Sequence, residues 1–331
     1  MPTRCEECGE LLKSGPSQLG CLNCLLLGGS NEPGPESRRF QHYEICSSPD
    51  GVALDELGRG AMGITYRATD TNLGSLVALK VIGARYCEDP EARERFRREA
   101  RAAAQLRHPN VATVFYFGET EAGRFFYAME LIEGETVEAH IRQHGPLPPI
   151  LALEIAAQVA RALMAAEAHG LVHRDLKPSN LMIVANDSDD LDTLTIKVID
   201  FGLAKAVAIT PGDVNQPQTG FSGTPDFASP EQLSRSDALL DTRSDIYSLG
   251  ATLWYLLCGR TPFRGRSVGE VHDEPLPLEQ LVLAHVPGSV IALLRSLLAV
   301  EPGGRPASAR ELLIALQRCH QIIANPSFSF T

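Results

Sequence analysis

The sequence changes character near residue 132, and this change constrains the fold more than any other feature. Between residues 40 and 130, short runs of β-branched and aromatic residues predict strands. The clearest runs are Ile64–Tyr66, Leu76–Leu79, Val111–Phe117 and Phe125–Met129. After residue 132 helical patterns dominate. A strand-rich part followed by a helix-rich part predicts an α+β fold with two lobes.

Three helices are predicted with defined ends. Asp89-Pro90-Glu91 has the residues of a helix start, and Phe96, Ala100 and Ala103 then recur at helical spacing until His108-Pro109. The stretches 149–169 and 244–258 are each followed by a glycine, which is typical of the residue just beyond a helix C-terminus.

Composition excludes several classes of protein. Hydrophobic residues make up 44% and charged residues 21%, which is typical of a globular chain rather than a disordered, collagen-like or coiled-coil one. The formal net charge of −11 disfavours general affinity for nucleic acid. We find no uninterrupted apolar run of the roughly 20 residues that a bilayer requires, and the first residues lack a signal-peptide core. We therefore expect a cytoplasmic protein without a membrane partner.

Four cysteines are clustered in two pairs, Cys5/Cys8 and Cys21/Cys24, with residues 9–20 between them. Two CxxC pairs at this spacing predict a tetrahedral zinc site in a small zinc ribbon. Disulfides or a redox pair are the alternatives. Residues 1–28 are too few to bury a core, so bound Zn²⁺ would supply the folding free energy. We expect the ribbon to dock a protein partner, because its basic residues are few.

Glycines at 58, 60 and 63 form a G-x-G-x-x-G pattern. A dinucleotide-binding loop of this type opens a helix, but here Ile64-Thr65-Tyr66 predicts a strand, so the loop is a flexible phosphate cover between strands. Lys80 ends the apolar run Val77–Leu79. Alone, such a lysine is more typical of an exposed strand edge than of a binding site.

Three further motifs complete an ordered series. His173-Arg174-Asp175-Leu176-Lys177-Pro178-Ser179-Asn180 is followed by Asp200-Phe201-Gly202 and then Ser229-Pro230-Glu231. With the glycine loop and Val77–Lys80, the series resembles the eukaryotic-type (Hanks-type) serine/threonine protein kinases over residues 50–320, in a bacterial version of the family. The resemblance implies the kinase fold, with a small β-rich N-lobe and a large helical C-lobe.

The domain boundaries expected from this resemblance cover the whole chain. A zinc ribbon (1–28) and a Gly/Pro/Ser-rich linker (29–42) precede the kinase domain. The kinase domain spans 43–323, with the N-lobe to about residue 131 and the C-lobe from about 132, and 324–331 is a tail.

The resemblance also implies catalytic roles. Asp175 would accept or orient the substrate hydroxyl, and Lys177, typical of serine/threonine kinases, would reach the transferred phosphoryl group. Lys80 would contact the ATP phosphates and pair with Glu99, with Glu94 as the alternative partner. Asn180 and Asp200 would bind Mg²⁺, for which Mn²⁺ is a possible substitute.

The expected ATP-binding residues come from the glycine loop, the adjacent strands, the gatekeeper position and the segment after it. They are Leu57, Gly58, Gly60, Gly63, Thr65, Ala78, Lys80, Met129, Glu130, Ile132 and Met182. Thr65 departs from the family pattern, which has Val there, so its hydroxyl is expected to weaken nucleotide binding by no more than about 1–2 kcal/mol.

The activation segment is expected between Asp200 and Glu231. Thr224 matches the threonine that contacts the catalytic aspartate. Arg174 would pair with a phosphorylated residue, and we expect autophosphorylation at Thr219 or Ser222, in a transient homodimer.

Structural roles are expected for several other residues. His173 would pack and shape the catalytic loop, and Asp245 would anchor the backbone of that loop. Glu231 and Arg305 would form a buried ion pair. The acidic stretch 185–193 is expected to be a solvated loop, and residues 264–287 look shortened relative to the family.

Two functions of other classes remain as alternatives. One is a catalytically weak, nucleotide-binding scaffold; the other is a kinase-like phosphotransferase acting on small molecules. Lys80, Glu99, Asp175, Asn180 and Asp200 are all present, which favours an active kinase.

Overall fold

The computed structural model describes residues 38–51, 53–60, 62–83, 87, 90–121, 123–184, 194–201, 225–233, 240–263 and 276–325, except the side chain of residue 92. The predicted zinc ligands, Thr224, the two predicted phosphorylation sites and the acidic stretch 185–193 lie outside these residues. The described chain divides into two compact units. The first contains residues 38–95 and 114–131, and the second contains residues 96–113 together with the described residues from 132 onward.

The first unit is an antiparallel sheet of seven strands. The strands are β1 (Arg39–Phe40), β2 (Tyr43–Ile45), β3 (Glu56–Gly60), β4 (Gly63–Asp70), β5 (Ser75–Ile82), β6 (Val114–Glu119) and β7 (Phe125–Glu130). Their order is β1-β2-β4-β5-β7-β6, and β3 pairs with β4. One face of the sheet forms a core that includes Phe40, Tyr66, Leu79 and Phe126.

Two sequence predictions for this unit need correction. Strand β1 pairs with β2, and Phe40 is buried, so the folded sheet begins within the stretch 29–42 that was predicted as a linker. The predicted strand Val111–Phe117 starts only at Val114, because Val111 instead forms an isolated bridge with Val198. The partner of Val111 lies far away in the chain, and β1 is too short for its pattern to be recognised, so neither pairing was visible in the sequence.

Helix α1 (Pro90–Gln105) contributes its first turns to the first unit and the rest to the second. Phe96, Ala100 and Ala103 are buried, as their spacing predicted. The helix therefore starts and presents its apolar face where the sequence indicated.

The second unit combines seven helices and a small sheet in its described residues. The helices are α2 (Val137–His144), α3 (Pro149–Ala168), α4 (Pro230–Leu233), α5 (Thr242–Cys258), α6 (Glu279–Leu283), α7 (Gly288–Leu297) and α8 (Ala309–Ala324). The sheet has the antiparallel order β10-β9-β8, from β8 (Gly134–Thr136), β9 (Leu181–Val184) and β10 (Ile196–Val198). Helix α3 packs against α5 and α8 in the centre of the core.

The predicted helices 149–169 and 244–258 are confirmed as α3 and α5. Asp241 caps the N-terminus of α5 by accepting a hydrogen bond from the Arg243 N–H, and Gly259 ends it in the left-handed conformation with φ 69°. Helix α3 is long and apolar enough to cross a bilayer, but 61% of its most apolar window is buried within the protein. Its apolar composition is that of the central helix of a core.

Candidate active site

The loop that carries the His173–Asn180 motif is anchored by one buried carboxylate on α5. Asp245 accepts hydrogen bonds from the backbone N–H of His173 (2.6 Å) and of Arg174 (2.8 Å). Burial raises the pKa of Asp245, although these two donors and His173 act in the opposite direction. This is the anchoring role that the sequence predicted for Asp245.

Both ring nitrogens of His173 are engaged. Nε2 lies 3.0 Å from the carbonyl oxygen of Ile199, and Nδ1 accepts a hydrogen bond from the backbone N–H of Asp175 at 3.2 Å. These contacts require the neutral ring with its proton on Nε2, and burial lowers the His173 pKa in agreement. The ring packs 4.7 Å from that of Phe201. His173 therefore shapes the loop, as predicted, rather than transferring protons.

The predicted catalytic residue Lys177 and the predicted Mg²⁺ ligand Asn180 both contact Asp175. The Lys177 Nζ lies 3.0 Å from Asp175 Oδ2, and Asn180 Nδ2 donates to Asp175 Oδ2 at 3.1 Å and to its backbone oxygen at 2.7 Å. The Asp175 side chain is one-quarter exposed, at 25%. A carboxylate held between an ammonium group and an amide is thus fixed in orientation but still open to a substrate.

Asp200 is placed next to this cluster by backbone pairing. The N–H of Ile199 donates to the carbonyl oxygen of Asn180 at 3.0 Å, so Asp200 follows one residue after the contact. Asp200 has φ 59°, an uncommon left-handed conformation for a non-glycine residue. Because Asn180 uses its Nδ2 as a donor to Asp175, the amide and carboxylate oxygens of Asn180 and Asp200 are a donor set that fits Mg²⁺, and their role as its ligands stays a prediction.

The strand that leads to Asp200 is positioned by two buried amides that the sequence analysis missed. Asn110 Nδ2 donates to Gln158 Oε1 (3.0 Å) and to the Ile196 carbonyl oxygen (2.8 Å). Gln158 in turn accepts from the Ile196 N–H and donates to the Leu194 carbonyl oxygen, both at 2.8 Å. A glutamine inside the apolar helix α3 was the sequence signal for such a contact.

Glu99 and Arg174 form an ion pair that was also not predicted. Arg174 Nη1 lies 2.8 Å from Glu99 Oε1, and both side chains are largely buried, at 21% and 15% exposed. Arg174 has φ 63°, and its carbonyl oxygen accepts a hydrogen bond from Gln232 Nε2 at 2.8 Å. The pairing of Glu99 with Lys80 stays a prediction, and Glu94 stays its alternative.

A second anchor lies behind Gln232 and matches the predicted Glu231–Arg305 pair. Arg305 donates to both carboxylate oxygens of Glu231 at 2.7 and 3.0 Å, and Ser244 Oγ donates to Glu231 at 2.7 Å. Burial alone would raise the pKa of Glu231, but these hydrogen bonds outweigh it and lower the pKa. Arg305 also donates to three backbone carbonyl oxygens, those of Arg243, Ala299 and Val300. The pair therefore fixes α4, which carries Gln232.

In the first unit, strand alternation gathers several predicted ATP-binding residues on one face. Tyr66, Leu79 and Ala128 belong to the core on the other face, so their neighbours along each strand point away from it. Those neighbours are Thr65, Ala78, Lys80 and Met129. Thr65 stands opposite Lys80, and Ala78 stands opposite Met129.

The three loop positions differ in whether the surrounding structure requires a glycine. A Cβ at Gly63 would lie 2.1 Å from the Val81 carbonyl oxygen, so the backbone approach itself requires glycine. Within the described part of the chain, a Cβ at Gly58 would meet nothing within 4 Å, and one at Gly60 would only reach the Gly63 oxygen at 4.0 Å. Steric packing therefore explains why residue 63 is glycine, but it does not explain why residues 58 and 60 are.

The other expected ATP-binding residues lie in strands or just after one. Leu57 lies in β3 and is 41% exposed, Glu130 ends β7, and Ile132 follows two residues later. Met182 lies in β9 of the second unit, opposite Lys197 and Thr136.

Comparison with known proteins identifies this arrangement. The family model "Protein kinase domain" matches residues 52–317. The serine/threonine-protein kinase PknB of Mycolicibacterium smegmatis is 37% identical over 273 residues, which are 80% of this chain and 42% of that protein. The serine/threonine-protein kinase pkn3 of Myxococcus xanthus is 36% identical over 270 residues, which are 79% of this chain and 48% of that protein.

A solved kinase-domain structure has a similar fold. The crystal structure of the PknI kinase domain of Mycobacterium tuberculosis superposes with a TM-score of 0.64 at 27% identity, covering 85% of this chain and 97% of that one. The chain belongs to the protein kinase family. Its kinase domain is of the bacterial serine/threonine type. The chain spans less than half the length of these curated relatives.

Proposed function

We propose that this chain transfers the γ-phosphoryl group of Mg-ATP to serine and threonine hydroxyls of proteins. The observation that carries the proposal is the cluster of Asp175, Lys177 and Asn180, in which a partly exposed carboxylate is held by an ammonium group and an amide. Asp175 orients the attacking hydroxyl and accepts its hydrogen bond. Lys177 supplies positive charge where charge accumulates on the transferred phosphoryl group.

Asn180 and Asp200 would hold Mg²⁺. When bound, the ion neutralises charge on the ATP phosphates. On the protein side, the Asn180 amide is already oriented by its two hydrogen bonds to Asp175, so little reorganisation is needed to present its oxygen.

The nucleotide would lie on the sheet face that carries Thr65, Ala78, Lys80 and Met129, with Gly58 and Gly60 over its phosphates. The absence of a packing reason for glycine at 58 and 60 within the described residues supports a close approach to a ligand. Leu57, Gly63, Glu130, Ile132 and Met182 complete the proposed ATP-binding set.

Autophosphorylation at Thr219 or Ser222 would be the switch, with exchange between two copies in a transient dimer. Arg174 supports this idea because it already binds a carboxylate, that of Glu99, in a largely buried position. A phosphate presented to Arg174 would compete for the same guanidinium group. Thr224 would contact Asp175 from the same segment.

Two further proposals concern the N-terminal cysteines and the location of the protein. Cys5, Cys8, Cys21 and Cys24 would bind one structural Zn²⁺ and form a docking module for a protein partner. A cytoplasmic location is supported by Cys46, Cys87, Cys258 and Cys319, which are all free thiols, as a reducing compartment requires.

The test is phosphoryl transfer from labelled ATP with Mg²⁺, to the protein itself and to a basic protein substrate. Wild type and the surface control Asp50→Asn should both incorporate label on serine or threonine, and Asp175→Asn should lose it by at least about 100-fold. Mass spectrometry then locates the sites. ATP binding without transfer would favour a nucleotide-binding scaffold instead, and label on a small-molecule acceptor alone would favour a phosphotransferase.

A further inference from the structure

Three metal-ligating side chains converge where strand β8 leads into helix α2. Glu135 lies in β8, and His140 and His144 lie on α2. One ligand atom from each of the three residues lies within 4.8 Å of the other two. None of these residues belongs to the proposed catalytic or ATP-binding sets.

Local structure explains why they meet. Histidines four residues apart lie on the same face of a helix, the spacing by which helical histidine pairs bind metals. Thr136 caps the N-terminus of α2 by accepting a hydrogen bond from the Ala139 N–H at 3.1 Å. This cap fixes where the helix starts, so Glu135 directly before it is held beside the first turn.

The contacts within the cluster are close to those of a ligand set. His140 Nδ1 lies 2.8 Å from Glu135 Oε1, and the two imidazole rings are 4.5 Å apart at an interplanar angle of 31°. His144 Nδ1 lies 3.2 Å from the His140 carbonyl oxygen, so its Nε2 is directed away from the helix backbone. The side chains of His140 and Glu135 are 15% and 38% exposed, and His144 is exposed.

We propose that Glu135, His140 and His144 bind a divalent transition-metal ion such as Zn²⁺, with water completing its coordination. Ligand atoms around a tetrahedral Zn²⁺ are about 3.4 Å apart. In this cluster the His140 Nδ1 and Glu135 Oε1 atoms are closer, at 2.8 Å, and all three ligand atoms lie within 4.8 Å of one another, so rotation of the exposed His144 side chain and a small separation of His140 from Glu135 would give this spacing. Two imidazoles and a carboxylate suit Zn²⁺, Ni²⁺ and Cu²⁺ better than Mg²⁺.

Such an ion would tie β8 to α2. Strand β8 pairs with β9 through Glu135 opposite Ile183 and Thr136 opposite Met182, and β9 follows directly after Asn180. The ion would therefore stiffen a segment next to the catalytic loop without touching the residues that carry the reaction.

The experiment measures Zn²⁺ binding to the full chain by equilibrium dialysis with metal analysis. Any Zn²⁺ bound by the N-terminal cysteines would be the same in all variants, so the difference between variants isolates this site. We expect His144→Ala and His140→Asn to bind one equivalent less than wild type, or to bind that equivalent at least about tenfold more weakly.

His169→Ala is the matched control. His169 is an exposed histidine at the end of α3, and its Nδ1 makes the same contact to the carbonyl four residues earlier, at 2.9 Å, without the two other ligands. We expect this variant to bind as wild type does. Hydrogen exchange should show Zn²⁺-dependent protection of residues 134–144 in wild type and in His169→Ala, but not in His144→Ala.

Equal stoichiometry and affinity in wild type and His144→Ala would overturn the proposal. An equal loss in His169→Ala would overturn it too, because binding would then depend on surface histidines in general. His144 is exposed, so its replacement is not expected to unfold the chain, and neither readout depends on kinase activity.

Discussion

The catalytic loop and the glycine hairpin are held in different ways. The loop at His173–Asn180 is fixed by side chains distant in sequence, namely the buried Asp245 on α5 and the partly buried Gln232 on α4. The hairpin of β3 and β4 is held by backbone pairing with its neighbour, and all five residues of β3 are exposed. The loop geometry is therefore set before any ligand binds, whereas the hairpin keeps the freedom to follow one.

The largest expected effect is a loss of stability on breaking the Glu231–Arg305 pair, which fixes α4 and with it Gln232. Arg305→Ala leaves the buried Glu231 carboxylate without its partner and frees three backbone carbonyls, so we expect the free energy of unfolding to fall by about 3–5 kcal/mol. Chemical denaturation measures it. The free energy of unfolding of Arg305→Lys should lie between those of wild type and Arg305→Ala, because an ammonium group keeps the charge but cannot form the bidentate contact. A loss no larger for Ala than for Lys would contradict this account of the anchor.

A smaller loss of stability, joined to a loss of activity, is expected at Asp245. In Asp245→Asn, one of the two loop N–H groups would face the amide NH₂ group instead of an acceptor oxygen. We expect the free energy of unfolding to fall by about 2–3 kcal/mol. We also expect kcat to fall while the KM for ATP changes little. Denaturation and steady-state kinetics measure the two effects. Ser248→Ala on the same helix removes only a local bond to the Ser244 carbonyl and is the control. Unchanged kcat in Asp245→Asn would show that the loop does not need this anchor.

The two regions also differ in how much of their structure could be predicted from the sequence. The strands that carry Thr65, Ala78 and Lys80 were predicted from local β-branched runs, and the family resemblance named these residues, but their shared face became visible only from the strand pairing. The helix ends at Gly259 and Ala168 were also readable from local signals.

The polar contacts that hold the catalytic loop were less accessible. Asp245 and the Glu231–Arg305 pair were expected only through family resemblance. The Glu99–Arg174 pair and the Asn110–Gln158 contact were missed, because their partners meet only through the packing of distant segments. The predicted linker that contains β1 failed for a different reason: β1 pairs with the adjacent strand β2, but a two-residue strand carries too short a pattern to be recognised from sequence.

The hairpin offers a contrast between its own glycines. Gly63→Ala places a Cβ against the Val81 carbonyl oxygen, so we expect a stability loss of about 1–3 kcal/mol. Gly60→Ala should leave stability within about 0.5 kcal/mol of wild type and weaken ATP binding instead. Thermal denaturation and nucleotide titration of both variants separate the effects. Equal destabilisation by both changes would mean that the hairpin is as rigidly packed as the catalytic loop.

The smallest expected effect is the pH dependence of stability that arises from Glu231. The pKa of Glu231 in the folded chain lies below its ordinary value of 4.5, so the unfolded chain binds the proton more readily. The stability from the ionised carboxylate is therefore complete above pH 4.5 and is lost as the pH falls through the folded-state pKa. Urea midpoints measured from about pH 6 to about pH 3 should fall more steeply below pH 4.5 for wild type than for Glu231→Gln. If both chains show the same slope, the acid sensitivity arises elsewhere, and the buried pair contributes to stability without contributing to its pH dependence.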